Sequence, residues 1–126
     1  MAAQTATATI LVLEDEVETS AIIQEILEEH GLRVGGPFRS NAQCLAYLAG
    51  TRPDAAILDF NVADGTSSLT AARLNEMRIP FMVASGYPKL IARGLEFQSA
   101  CWLGKPFGEA ALLKHLSDLL PRSYRV

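Results

Sequence analysis

The stretch Asp54-Ala55-Ala56-Ile57-Leu58-Asp59 decides the fold. Four apolar residues in a row are too few for a helix and do not alternate with polar ones. A run of that form is a strand buried on both faces, as in a covered parallel sheet. Three other runs have the same character: Ile10-Leu11-Val12-Leu13, Phe81-Met82-Val83-Ala84 and Ala100-Cys101-Trp102-Leu103. Each runs out into a group with chemistry. Asp59 closes the first, the acid pair Glu14-Asp15 follows the second, Ser85 the third, and Lys105-Pro106 comes just after the fourth.

Amphipathic segments fill the gaps between these runs. The first strand spans Thr9–Leu13. A helix from Val17 to His30 has Val17, Ile22, Ile23, Ile26 and Leu27 as its apolar face, with Gly31 as its stop. A short second strand lies at Leu32–Gly35. Ser40 with Gln43 forms a capping box for a helix from Asn41 to Ala49, ended by Gly50. The third strand is Ala55–Asp59, and Ser67–Met77 reads as the next helix. After Pro80 comes the fourth strand, Phe81–Ala84, then a weaker helix over Pro88–Leu95. Ala100–Leu103 is the fifth strand, and a last helix over Gly108–Leu120 ends before Pro121. Five βα repeats with right-handed crossovers give an α/β fold, a doubly wound three-layer (βα)5 sandwich on a parallel sheet.

The 126 residues suit one domain over 9–120, with residues 1–8 a flexible start and 121–126 a tail without an output domain. Hydrophobic residues make up 49%, enough for a normal core. The formal net charge is -3 and no Lys/Arg run stands out, which argues against a nucleic-acid surface. No membrane-length apolar stretch or signal peptide is visible, so the expected compartment is the reducing cytoplasm. Cys44 and Cys101 read as core filler, and His30 and His115 as isolated helix residues without metal-ligand spacing.

Strands that run in parallel place all their carboxyl ends at one sheet edge, where open α/β sheets bind ligands. There a carboxylate can attack phosphorus and form an acyl phosphate. Such a transfer needs a metal to neutralise the phosphoryl oxygens, and Mg²⁺ takes oxygen ligands and keeps several waters. Asp15 and Asp59 are the direct ligands expected, with Glu14 holding a water and the backbone carbonyl of Asn61 completing the protein's share. Three clustered carboxylates repel one another, so stability is expected to fall without metal, offset in part by Lys105. Lys105 then pairs with one phosphoryl oxygen, and Ser85 donates to another.

This set of residues resembles the receiver domain of bacterial two-component response regulators. The likeness rests on Glu14-Asp15, Asp59 after an apolar strand, Ser85 and Lys105-Pro106-Phe107. It implies a flavodoxin-like strand order 2-1-3-4-5 and a single-domain regulator without enzymatic turnover beyond self-catalysed phosphoryl transfer and slow autodephosphorylation. Asp59 is then the phosphoacceptor, with Mg²⁺ (or Mn²⁺) at Glu14, Asp15, Asp59 and the Asn61 carbonyl. The donor is a histidine kinase or histidine phosphotransfer protein. A cis peptide precedes Pro106, and Ser85 and Trp102 form a switch pair. A downstream protein is expected on the face of the fourth helix, fifth strand and fifth helix, in a monomer or weak dimer.

Pro80-Phe81-Met82-Val83-Ala84-Ser85-Gly86-Tyr87 is similar to the signature of the stand-alone receivers called FATGUY, which accompany kinases of the HWE and related classes. That likeness implies a phosphoryl shuttle, sink or protein-binding switch. Asn61 and Tyr87 occupy positions that tune acyl-phosphate hydrolysis in receivers. Departures from the family pattern are a loop after Asp59 without Leu-Pro, an early Gly65, Gly86 in place of alanine, and the large Trp102. Two readings compete: an interaction module of the same fold that ignores phosphate, and a phosphohydrolase with Asp59 of Asp59-Phe60-Asn61 as nucleophile.

Overall fold

The computed structural model describes residues 7–89 and 94–121. Its centre is a parallel sheet of β1 (Thr9–Leu13), β2 (Arg33–Phe38), β3 (Ala55–Asp59), β4 (Phe81–Ser85) and β5 (Cys101–Gly104). The strand order is β2-β1-β3-β4-β5. Among the described residues, four α-helices cover it: α1 (Val17–Glu29), α2 (Asn41–Leu48), α3 (Ser68–Glu76) and α4 (Glu109–Leu119).

Two cores explain why the strands do not alternate. Ile10, Val12 and Ile57 pack with Ile23 and Leu27 of α1 and Leu112 and Leu116 of α4 on one face. Leu11, Leu13 and Leu58 pack with Cys44 and Leu48 of α2 and Ala71 and Leu74 of α3 on the other. Successive strand residues point to opposite faces, and both faces are dry.

Register then fixes the functional edge. Leu13 lies opposite Leu58, Asp59 opposite Ala84, and Ser85 opposite Gly104. Glu14, Asp59, Ser85 and Lys105 therefore emerge at nearly one level.

Some expectations need correction. Val17 is 70% exposed and Ile22 54%, so the buried stripe of α1 is Ile23, Ile26 and Leu27 only. β2 runs on to Phe38 through Gly36-Pro37, with a register irregularity opposite β1 between Leu11 and Leu13. Gly36 sits at φ 101° and its peptide to Pro37 is cis. Half of the helix expected over Pro88–Leu95, residues 90–93, lies outside the described residues. A 3₁₀ turn, Leu95–Phe97, comes shortly after them. It is tied to α3 by Ser68 Oγ donating to Glu96 Oε1 (2.7 Å) and Asn75 Nδ2 donating to the Glu96 carbonyl (2.9 Å). Residues 1–6 and 122–126 also lie outside the described residues, with most of the expected flexible start and tail. A small antiparallel hairpin, Asn61–Val62 against Gly65–Thr66, follows β3 and was not expected. Among the described residues, no helix is long and apolar enough to cross a membrane.

A Cβ on Gly36 would come within 2.6 Å of the Phe38 amide nitrogen and 3.0 Å of the Val12 carbonyl oxygen, at a φ that side chains rarely adopt. Gly36→Ala is expected to lower unfolding free energy by about 2 kcal/mol in a urea titration. Gly50→Ala, where a Cβ meets nothing within 4 Å, serves as the control and should stay near wild type.

Candidate functional site

Four elements deliver the site. The Glu14 amide donates to the Phe38 carbonyl (2.8 Å), carrying the β1–β2 ladder one residue past the strand. This turns the Glu14 side chain inward, where it is only 2% exposed. On the other flank, the Lys105 amide donates to the Ser85 carbonyl (2.9 Å), extending the β4–β5 ladder in the same way. The Lys105 ammonium then donates to Glu14 Oε1 at 2.6 Å and to Asp59 Oδ2 at 3.1 Å. The remaining Asp59 oxygen, Oδ1, accepts from the Phe60 amide (2.7 Å), and Glu14 Oε2 accepts from the Glu16 amide (3.1 Å). The peptide between Lys105 and Pro106 is cis.

Asp15, half-buried, completes the group. One carboxylate oxygen each from Glu14, Asp15 and Asp59 lies within 4.8 Å of the others. An all-oxygen anionic set of this kind suits a hard divalent cation such as Mg²⁺ or Mn²⁺. The charges fit as well: the cluster carries three acids against the single Lys105 ammonium. Burial pushes the Glu14 carboxyl up to about 7, with Lys105 pulling it down and the Asp59 carboxylate pushing it further up. Burial works against the charge of Lys105, yet the Glu14 and Asp59 carboxylates outweigh it and hold its pKa above the usual lysine value.

The expected switch residues are joined through the backbone of Tyr87. Ser85 is buried, and its Oγ accepts from the Tyr87 amide at 3.0 Å, leaving its own proton free to donate. The Tyr87 carbonyl accepts from the Trp102 indole Nε1 at 2.8 Å. The Trp102 ring lies 5.8 Å from Phe60 and 6.3 Å from Phe97, centroid to centroid. Tyr87 itself is 55% exposed. Asn61 is exposed and pairs with Thr66 in the hairpin. Beside Lys105, a cleft of about 370 Å³ is lined by Glu16, Thr19, Ile22, Lys105, Pro106 and Phe107.

Sequence reasoning passed over Phe60, whose ring joins Asp59's loop to Trp102. It also passed over Asn41, Asp64 and Thr70, which bond across the loop after Asp59. Asp64 followed by Gly65 is a turn signal, but no signal in the sequence links it to Asn41.

Residues 10–117 match the response regulator receiver domain family. The chain belongs to that family. It is 34% identical over 117 residues to the transcriptional regulatory protein PrrA of Mycobacterium leprae, covering 90% of this chain and 50% of that protein. It is 28% identical over 114 residues to the phyllosphere-induced regulator PhyR of Methylorubrum extorquens, covering 88% and 43%. The chain thus spans about half the length of the curated relatives it matches. The solution structure of the receiver domain of PhyR from Erythrobacter litoralis superimposes with a TM-score of 0.79 at 22% identity, over 90% of each chain.

Glu14 sets a pH dependence. Its pKa is higher folded than its ordinary 4.5, so its contribution to stability is full below 4.5 and is lost as pH rises through about 7. In chelator-treated protein, unfolding free energy should fall by up to about 3 kcal/mol across that window, and Glu14→Gln should flatten the slope. A fixed excess of MgCl₂ should raise Tm more at pH 8 than at pH 5, because a cation binds the ionised carboxylates. Equal shifts at both pH values would rule out cation binding to this cluster.

Proposed function

We propose that Asp59 is the phosphoacceptor of a phosphorelay, charged by a histidine kinase or histidine phosphotransfer protein. The observation that carries this reading is the Lys105 ammonium bonded to Glu14 and Asp59 together, with Asp15 in reach of both. A carboxylate oxygen of Asp59 forms a bond to phosphorus as the donor's phosphorus–nitrogen bond breaks, and the electron pair leaves with the donor imidazole. Glu14, Asp15, Asp59 and the Asn61 carbonyl would hold a divalent cation, which would neutralise the phosphoryl oxygens when bound. Lys105 orients the Asp59 carboxylate beforehand, then exchanges its bond to Asp59 for one to a phosphoryl oxygen. Ser85 donates its free hydroxyl proton to another.

The product is a signal state. Turning Ser85 toward the phosphoryl group takes its Oγ from the Tyr87 amide, and Trp102 responds through the Tyr87 carbonyl. The output is altered partner binding on the side of β5 and α4, or passage of the phosphoryl group onward. This is a switch, shuttle or sink in the cytoplasm and not a multiple-turnover enzyme. The donor approaches across the cleft beside Lys105, which exposed Ile22 of α1 helps to line.

Incubation with acetyl phosphate and Mg²⁺, followed by intact mass, should give one phosphoryl adduct on wild type. No adduct is expected on Asp59→Asn or in chelator. An unmodified mass with acetyl phosphate and again with a panel of kinases would leave a phosphate-independent interaction module. Tyr87 is assigned to shield the acyl phosphate from water. Tyr87→Ala should shorten the phosphoryl lifetime several-fold, and an unchanged lifetime removes that role.

A further inference from the structure

The loop after Asp59 is held from outside by a network with no charge partner at the acid cluster. Asp64, at the turn of the hairpin, reaches across to the start of α2. Its Oδ1 accepts from the Asn41 amide (2.8 Å) and from Asn41 Nδ2 (3.0 Å), and its Oδ2 accepts from the Ala42 amide (3.1 Å). The Asn41 amide bond, foremost among these, holds the Asp64 carboxyl below the usual aspartate value. Asn41 is 2% exposed and uses its whole amide. Nδ2 also donates to the Thr66 carbonyl (2.8 Å), and Oδ1 accepts from the amide (3.2 Å) and the hydroxyl (2.7 Å) of Thr70. The Ala63 amide adds a bond to the Arg39 carbonyl (3.0 Å).

These bonds connect the β2–α2 corner to the hairpin that carries Asn61, and the Ser67 amide closes the hairpin's base on the Phe60 carbonyl (2.8 Å). The same corner bonds the Glu14 amide through Phe38. Two flanks of the acid cluster therefore share one anchor. Asp64 could serve α2 as a cap alone, but Ser40 Oγ already accepts from the Gln43 amide there. Asn41's side-chain bonds do nothing for that cap: the one to Thr66 holds the hairpin, and those to Thr70 hold the first turn of α3, just after it.

We propose that Asn41 and Asp64 are positioning residues, which hold the backbone after Asp59 where its Asn61 carbonyl can ligate the divalent cation. The proposal rests on the phosphoacceptor reading above. Neither residue touches the reacting atoms, so each acts through the hairpin. Partners one shell out from a metal ligand typically set affinity by 10- to 100-fold.

The test is Mg²⁺ affinity by isothermal titration, on wild type, Asp64→Ala, Asp64→Asn, Asn41→Ala and Leu48→Ala. Leu48, buried on α2 outside the network, gives a loss of stability without loss of these bonds. Asp64→Asn keeps one acceptor for the Asn41 amide, so it supplies a folded variant should Asn41→Ala fail to fold. Expected is Mg²⁺ binding about 10-fold weaker in Asp64→Ala and Asn41→Ala and a smaller loss in Asp64→Asn, with Leu48→Ala within twofold of wild type at a comparable Tm loss. Asp64 variants that bind Mg²⁺ like wild type, or no better and no worse than Leu48→Ala, overturn the positioning role. Wild type that shows no saturable Mg²⁺ heat overturns the phosphoacceptor reading itself, and the positioning role with it.

Discussion

One ammonium group holds the functional edge together. Lys105 bridges Glu14, 91 residues earlier in the chain, and Asp59, 46 residues earlier. Without it, Glu14 would be a buried carboxylate facing a second carboxylate, and burying an unpaired charge costs several kcal/mol. Its own position follows from backbone geometry, since the Lys105 amide is the last bond of the β4–β5 ladder. The compensation is incomplete: three acids remain against one cation. That remainder of negative charge is the physical reason the cluster favours a second, divalent cation.

The fold was legible because burial on both faces leaves a mark in sequence. A strand between two helix layers must be apolar along its covered length, and β1, β3 and β4 are so apart from Thr9, Asp59 and Ser85 at their ends. The helices were readable where a stripe repeats, but α1 shows the limit. Val17 and Ile22 fit the hydrophobic pattern, yet both stay in water, Ile22 on the wall of the cleft. Periodicity reports that residues could be buried and does not say against what. β2 reads too short for another reason. Gly35-Gly36-Pro37 has the composition of a turn, and the strand continues through it to Phe38 because β1 supplies the ladder. Tertiary pairing overrides local propensity there.

The site divides in the same way. Asp59, Glu14-Asp15, Ser85 and Lys105 could be read because each stands at the end of an apolar run, and parallel strands bring such ends together. Asn41 and Asp64 stand 23 residues apart, on a helix start and a hairpin turn that no pattern pairs. Their contact depends on the hairpin after β3, which compresses the loop and swings Asp64 over α2. The turn residues were visible in the chain, but the direction of the turn was a property of packing.

Trp102 illustrates how a substitution within a role changes the physics. An aromatic ring without a donor could pack on Phe60 and Phe97 as well, but the Trp102 indole N–H also bonds the Tyr87 carbonyl. Ser85 and Trp102 thus hold the two backbone polar groups of one residue. If Ser85 turns to a phosphoryl oxygen, the Tyr87 amide loses its acceptor and must find another, from water or by shifting the backbone. A shift of the Tyr87 backbone would break or drag the indole bond. The neighbouring core is packed on three aromatic rings and does not deform by small increments. On the proposed reading, hydroxyl and ring are coupled because both bond the backbone of Tyr87, and a response of Trp102 would be a change between two packings.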